Sequence, residues 1–456
     1  MPRTLLPVLT VVLFVTAVTS TANACPFCTA VSQTFSEEMA SMDVAVIARL
    51  KEPPPPIKDG DSIDDPSAHV ATAKFEIVKV LKGEDVLAGQ KVIETVYFGD
   101  GKKGDAFLVM AVDPPKLMWS TPLQLSERAQ EYLPKLLTLP AEGPDRLAFF
   151  QEYLEDPDEM LARDAYDEFA KSPYSAVQGL KDRMKHDQLV AWIQDLDIPA
   201  SRKRLYFTML GVCGSKDDLP LLEKMIRSDD RQVKAGLDAM IACYLTLAGA
   251  EGLPLIEEVF LANKDAEYAD TYAAIMAIRF HGTETDVIPQ KRLVKSLRHM
   301  LDRPQLADLV IPDLARWEDW ESMPRLVELF KSADEKSSWV RVPVINYLRA
   351  CPLPEAKTYM AELEKIDPAA VRRANTFFPF LPSSGGDSNS SDTEKKTSAV
   401  EPAEGLIYPV SYQEEPALPA TAASEGRRSS LNYLFPLGVT LLAGVGLTWV
   451  ARAARR

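Results

Sequence analysis

The sequence predicts an α+β multidomain chain: a small N-terminal β-sheet or barrel domain, a right-handed α-solenoid, a disordered linker and a single transmembrane helix. Three observations carry that expectation. Helix starts led by an aliphatic residue and proline recur at Leu219-Pro220, Leu253-Pro254, Ile288-Pro289 and Met323-Pro324, in steps of 34, 35 and 35 residues. A fixed period in this range marks stacked helical repeats. Strand-type alternation is confined to the stretch before residue 120, and Leu431–Ala451 is an apolar run without a charge.

The elements follow in chain order. Residues 1–24 read as a secretory signal, with Arg3 before the apolar run Leu5–Val18 and a small-x-small cleavage site at Ala22-Asn23-Ala24. The β-domain spans 25–120. It opens with a short helix within Thr29–Met42, whose Glu37 and Glu38 face water. Four strand candidates follow: Val44–Leu50, Val70–Leu81, Lys91–Phe98 and Ala106–Val112. The second alternates through Ala71, Ala73 and Phe75, then slips phase to Val78 and Val80. The prolines at 53–56 and the acidic run to Asp65 form a loop between the first two strands, and Asp100–Asp105 is a turn joining the last two.

From Ser126 the period becomes helical, and the repeat domain spans 121–381. Two irregular helix pairs lead, broken at Pro173 and Pro199, and Arg202–Val212 enters the clear repeats. Proline suits the first helical position, where its missing amide has no intrahelical partner to lose, so Pro220, Pro254, Pro289 and Pro324 define the repeat. The second helices are expected over Arg231–Tyr244, Tyr268–Phe280, Gln305–Trp317 and Trp339–Cys351. One such unit cannot bury its apolar face alone, so stacking makes one long core.

Residues 382–430, rich in Ser, Gly, Pro and Glu, cannot build a core and form the linker. Residues 431–451 are long enough to span a bilayer, and 452–456 are a short basic tail. With an exported N-terminus, the chain is expected at the cell membrane as a single-pass protein with its ectodomain outside and its C-terminus inside.

Three resemblances add to this reading. Ser228–Lys234 and Ser337-Ser338-Trp339-Val340-Arg341 resemble the inter-helix turn of HEAT repeats, where a polar cap precedes a Val-Arg pair. The likeness covers the helical domain, with the best match between Leu219 and Pro368, and departs in having Lys234 for arginine. It implies a HEAT/armadillo-like α-solenoid. Cys25, Asp43–Ala48, Phe75–Gly83 and Gly104–Val109 faintly resemble the netrin-like, tissue-inhibitor-of-metalloproteinase type of barrel, which implies an OB-like fold and protease modulation. The inhibitors' terminal cysteine is held by disulfides to cysteines downstream, and here nothing between Cys28 and Cys213 supplies one. Finally, Leu418-Pro419-Ala420-Thr421-Ala422 before the apolar segment resembles a sortase sorting signal, with alanine in place of the usual glycine.

Composition narrows the function. Fifty-one basic and 66 acidic residues give a net charge of −15, which argues against a nucleic-acid partner. Cys213, Cys243 and Cys351 lie on apolar helical stripes and read as small buried hydrophobes. Cys25-Pro26-Phe27-Cys28 reads either as a local disulfide or as a redox pair, although no βαβ frame surrounds it. His69, His186, His281 and His299 are scattered, and no nucleophile elbow or phosphate loop is complete. No catalytic residue, cofactor or metal is therefore expected. The reading is a scaffold binding a protein or peptide in the cell envelope, with Trp317, Trp320 and Trp339 as candidate interface aromatics. The alternatives are a thiol-redox protein using Cys25 and Cys28, or a netrin-like protease modulator.

Overall fold

The structure, a computed structural model, describes residues 27–30, 32–54, 71–335 and 337–377, all within one compact unit that ends at Pro382. The signal segment, Cys25, most of the Pro-rich loop, His69, the linker with Leu418, Pro419 and Thr421, the apolar run 431–451 and the tail lie outside the described residues.

The fold is mixed. An N-terminal antiparallel, nearly closed sheet precedes many helices. Its strands are β1 (Val44–Glu52), β2 (Thr72–Lys82), β3 (Val92–Val96), β4 (Ala106–Val112), β5 (Met118–Trp119) and β6 (Leu123–Leu125). They run in the order β3-β2-β1-β4-β5, with β6 also paired to β4. β4 throughout and β1 as far as Ala48 are apolar runs because both of their faces are covered there. Val44, Val46, Ala48, Phe107 and Val109 pack inside the sheet with Phe75, Ile93 and Tyr97. Ala45, Ile47, Leu108 and Met110, one position out of phase, join the core of the helices.

Two expectations for the sheet change. β3 and β4 are not neighbours, since β2 and β1 lie between them, so Asp100–Asp105 ends a crossing connection rather than a hairpin. The phase slip in β2 is a pair of bulges. The register passes from Ala48↔Ile77 to Ile47↔Lys79, then from Val46↔Val80 to Ala45↔Lys82. This leaves Val78 and Leu81 as the extra residues, and Val78 is 51% exposed instead of entering the core.

Helices α1 (Phe35–Ser41) and α2 (Glu84–Leu87) accompany the sheet. A capping box at Thr34 starts α1, its hydroxyl accepting from the Glu37 amide. Six helices lead the array: α3 (Glu127–Leu136), α4 (Pro144–Gln151), α5 (Glu159–Lys171), α6 (Tyr174–Gln178), α7 (His186–Gln194) and α8 (Ala200–Cys213). The proline-led units follow. They are α9 (Leu219–Ile226) with α10 (Leu237–Ala248), α11 (Leu253–Ile256) with α12 (Tyr268–Thr283), α13 (Gln290–Leu297) with α14 (Ile311–Arg316), and α15 (Met323–Ser332) with α16 (Arg341–Ala350). α17 (Pro354–Ile366) and α18 (Pro368–Phe377) complete the described chain.

Alternate helices lie side by side, α8 on α10, α10 on α12, α14 on α16 and α16 on α18. Pro220, Pro254 and Pro324 stand in the first turns of α9, α11 and α15, while Pro289 caps α13 from outside. α10 starts at Leu237, six residues later than Arg231, because Gly236 before it has φ 79° and ends a run of turns. Leu237–Leu261 is the one helical run among the described residues long and apolar enough to cross a bilayer, yet it is 61% buried between its neighbours. Gly249, at φ 65°, breaks it after α10.

A ladder of part-buried ion pairs ties α8 to α10, the turn before α10 to α12, α12 to α14, and α16 to the start of α18. Arg204 meets Asp238 at 2.9 Å, Lys234 meets Asp270 at 2.5 Å, Arg279 meets Asp313 at 2.7 Å and Arg341 meets Asp367 at 2.8 Å. Lys234, standing where the resemblance has arginine, fills the same rung with Arg231 beside it at 2.8 Å from Asp270.

Candidate functional site

The first candidate is the Cys-Pro-Phe-Cys segment. Cys28 is disulfide-bonded, and Cys213, Cys243 and Cys351 are free thiols. Burial raises the pKa of the Cys213 and Cys243 thiols, which suppresses the reactive thiolate. The residue that engages the rest of the protein is Phe27. It is only 9% exposed, its ring lies 5.1 Å from Phe280, and Phe280 meets Tyr174 at 5.2 Å. Gly211, Ala239, Ala242 and Thr208 line this spot, small residues that leave room for an aromatic ring between helices. Phe27 was legible only as the spacer between two cysteines; what signalled its seat was the Gly/Ala spacing on α8 and α10.

The strap that follows is fastened to α5. Asp167 accepts from the Ser32 amide at 3.2 Å and its hydroxyl at 2.8 Å. Asp164 accepts from the Phe35 amide at 2.7 Å, at the start of α1, and from the Tyr132 hydroxyl at 2.5 Å. Arg146 forks onto Glu168 at 2.7 and 2.8 Å and reaches Ser36 at 2.8 Å, while Lys171 pairs with Glu37. Burial pushes the Asp164 carboxyl up to about 7, against the two hydrogen bonds that favour its anion. None of α5's carboxylates was singled out from the sequence, because a charge-rich helix reads by default as a solvated face.

The second candidate is built around the tryptophans, and the structure separates them. Trp317 is core: a Cβ on Gly282 would stand 2.1 Å from its ring. Trp320 is half-buried, edge-on to Tyr347 at 5.2 Å. Neither presents an open face comparable to that of Trp339, which is 53% exposed. Its indole N–H donates to the Gln305 carbonyl at 3.1 Å, which fixes the ring. Tyr268, 58% exposed and stacked on Tyr272 at 6.1 Å, lines one cleft with it. This open cleft, of about 850 Å³, is also lined by Gln305, Leu306, Asp308, Leu309 and Glu335. Burial raises the Asp308 carboxyl, which is bonded only to backbone amides. Lys336, next to Glu335, lies outside the described residues.

The remaining singled-out residues hold the fold. Val340 is fully buried, and the Arg341 guanidinium also donates to the Ala333 carbonyl at 3.0 Å and lies 5.4 Å from the Phe330 ring. His281 is buried, its ring nitrogens 3.0 Å from the Ala242 carbonyl and 3.0 Å from the Thr285 hydroxyl, and burial lowers its pKa to about 4. Glu257 is half-buried against Arg292 and Ser296, at 2.5 and 2.7 Å. No group of three or more His, Cys, Asp or Glu side chains suited to a metal occurs among the described residues. No protein-family model and no curated protein matches this chain.

Proposed function

We propose that this chain is an exported, membrane-anchored helical-repeat scaffold that binds a protein or peptide segment in the cell envelope. The helices form a right-handed, HEAT-like solenoid, and the OB-like sheet covers its leading end through the shared core of Ala45, Ile47, Leu108 and Met110. One observation carries the reading. The array displays two half-exposed aromatic rings, Trp339 and Tyr268, that line one open cleft. Large aromatics supply contact area at small entropic cost and dominate interface energetics. The thiol-redox alternative draws on the disulfide at Cys28, but Phe27 makes that loop a packing element of the helices. The protease-modulating alternative draws only on the sheet.

The test uses the full chain in detergent, with Trp339→Ala plus Tyr268→Ala compared with Val78→Ala, which removes an exposed side chain elsewhere. Cross-linked partners from an envelope extract are quantified by mass spectrometry. Loss of the same partner from the aromatic variant, but not from the control, supports the scaffold. Equal recovery by both variants refutes the cleft as the binding surface.

A further inference from the structure

We infer that the cleft lined by Trp339 and Tyr268 receives a cationic side chain, lysine or arginine, presented on an extended segment of the partner. This rests on the scaffold reading and names the chemistry of its ligand.

Charge complementarity points to this occupant. The described lining residues supply two carboxylates, Asp308 and Glu335, and no cation. Five other buried or part-buried carboxylates on the array have a cationic partner: Asp238 with Arg204, Asp270 with Lys234 and Arg231, Asp313 with Arg279, Asp319 with Arg298, and Asp367 with Arg341. No lysine or arginine among the described residues ion-pairs with Asp308 or Glu335. Asp308 is the more telling of the two, because it is half-buried beside Tyr268 and Leu309, where an isolated carboxylate is costly.

The apolar parts fit the same side chain. Leu306 and Leu309 form a floor for an aliphatic stem, as lysine and arginine bury their methylenes while keeping the charge at a polar rim. Trp339 and Tyr268 both line the cleft, and aromatic faces attract cations. Trp339 is preorganised by its bond to Gln305, so little ordering cost falls on the aromatic wall at binding. A neutral aliphatic segment would satisfy the floor and leave Asp308 bonded to backbone amides alone.

The experiment labels the full chain in detergent with 5-fluorotryptophan and follows the six tryptophan resonances by fluorine NMR, Trp339 being assigned from Trp339→Phe. The probe is acetyl-Gly-Arg-Gly-Lys-Gly-amide, and its control has norleucine at both cationic positions. The basic peptide is expected to shift Trp339 alone, about tenfold more tightly than the control, with the shift weakening as salt rises. Asp308→Asn with Glu335→Gln should weaken it about tenfold, while the other five resonances stay in place and report an intact fold. Equal binding of the norleucine peptide, no binding of the basic peptide, or no loss in the carboxylate variant overturns the inference. If partner capture depends on Trp339 while the probe fails, the scaffold stands and the cationic ligand falls. If the probe binds while capture ignores Trp339, the cation site stands and the scaffold's use of this cleft falls.

Discussion

Asp164 makes the stability of this fold depend on pH in a direction opposite to that of most carboxylates. Its side chain accepts from the Phe35 amide and the Tyr132 hydroxyl in a buried position, and burial pushes its pKa from 3.8 up to about 7. The native protein therefore binds more protons at this site than the unfolded chain across roughly pH 4–7. Its contribution is fully present below pH 4, and stability falls as pH rises through 7. Three pKa units correspond to about 4 kcal/mol. Asp164→Asn keeps an oxygen for the Phe35 amide, turns an amide donor toward Tyr132 and removes the ionisation.

The wild type and Asp164→Asn should then be about equally stable near pH 4.5. By pH 8 the variant should lead by about 3 kcal/mol, since the change from pH 4.5 spans about 2.5 of those units, equivalent to roughly 4 °C in Tm for a unit of this size. Thermal and urea denaturation of both proteins across this range, taken as a difference, cancels every group that titrates alike in the two. A difference that stays constant with pH would show that Asp164 does not hold its proton in the native state and would refute the argument.

Three other perturbations follow from the same geometry. Phe27→Ala should free the strap, removing hydrogen-exchange protection from the Ser32 and Phe35 amides and lowering stability by about 3 kcal/mol; unchanged protection would mean that the aromatic plug does not hold the segment. Arg279→Ala leaves Asp313, whose side chain is 1% exposed, with only the solvent-facing Arg316 at 3.2 Å as its cation and should cost about 3 kcal/mol in urea unfolding. Arg279→Met with Asp313→Leu should recover most of that, and a double variant as unstable as the single would contradict it. Lys203→Met should raise stability by about 1–3 kcal/mol, because the Lys203 Nζ is buried without a hydrogen-bond partner; a lower Tm would refute this.

Much of the architecture was legible because it rests on local rules. The apolar runs Val44–Ala48 of β1 and Ala106–Val112 of β4, the phase slip of β2 and the spaced prolines each leave a pattern within a dozen residues or mark a chain-stiff position. β5 and β6, two and three residues long, were invisible because so short a strand has no period of its own and exists only by pairing with β4. The misread connection between β3 and β4 has a similar origin: neighbours in sequence are usually neighbours in a sheet, and only the inserted pair β2-β1 overrides that tendency. The three tryptophans were equivalent by composition, and the space left by Gly282 made one of them core while leaving Trp339 at the surface.

The sequence by itself determined the order and type of the main elements, since propensity, hydrophobic period and proline position act over a few residues. It also bounded the chemistry, offering an acidic chain with no assembled catalytic motif. Tertiary structure decided which residues face each other across the array. It set Phe27 against Phe280, paired Asp164 with Tyr132 and the start of α1, built the ladder of ion pairs, and brought Tyr268 and Trp339 to one cleft. Those contacts join residues from about 30 to more than 250 positions apart. Burial, desolvation and charge pairing act through space, and a one-dimensional pattern carries no information about which distant side chains the packing of helices will bring together.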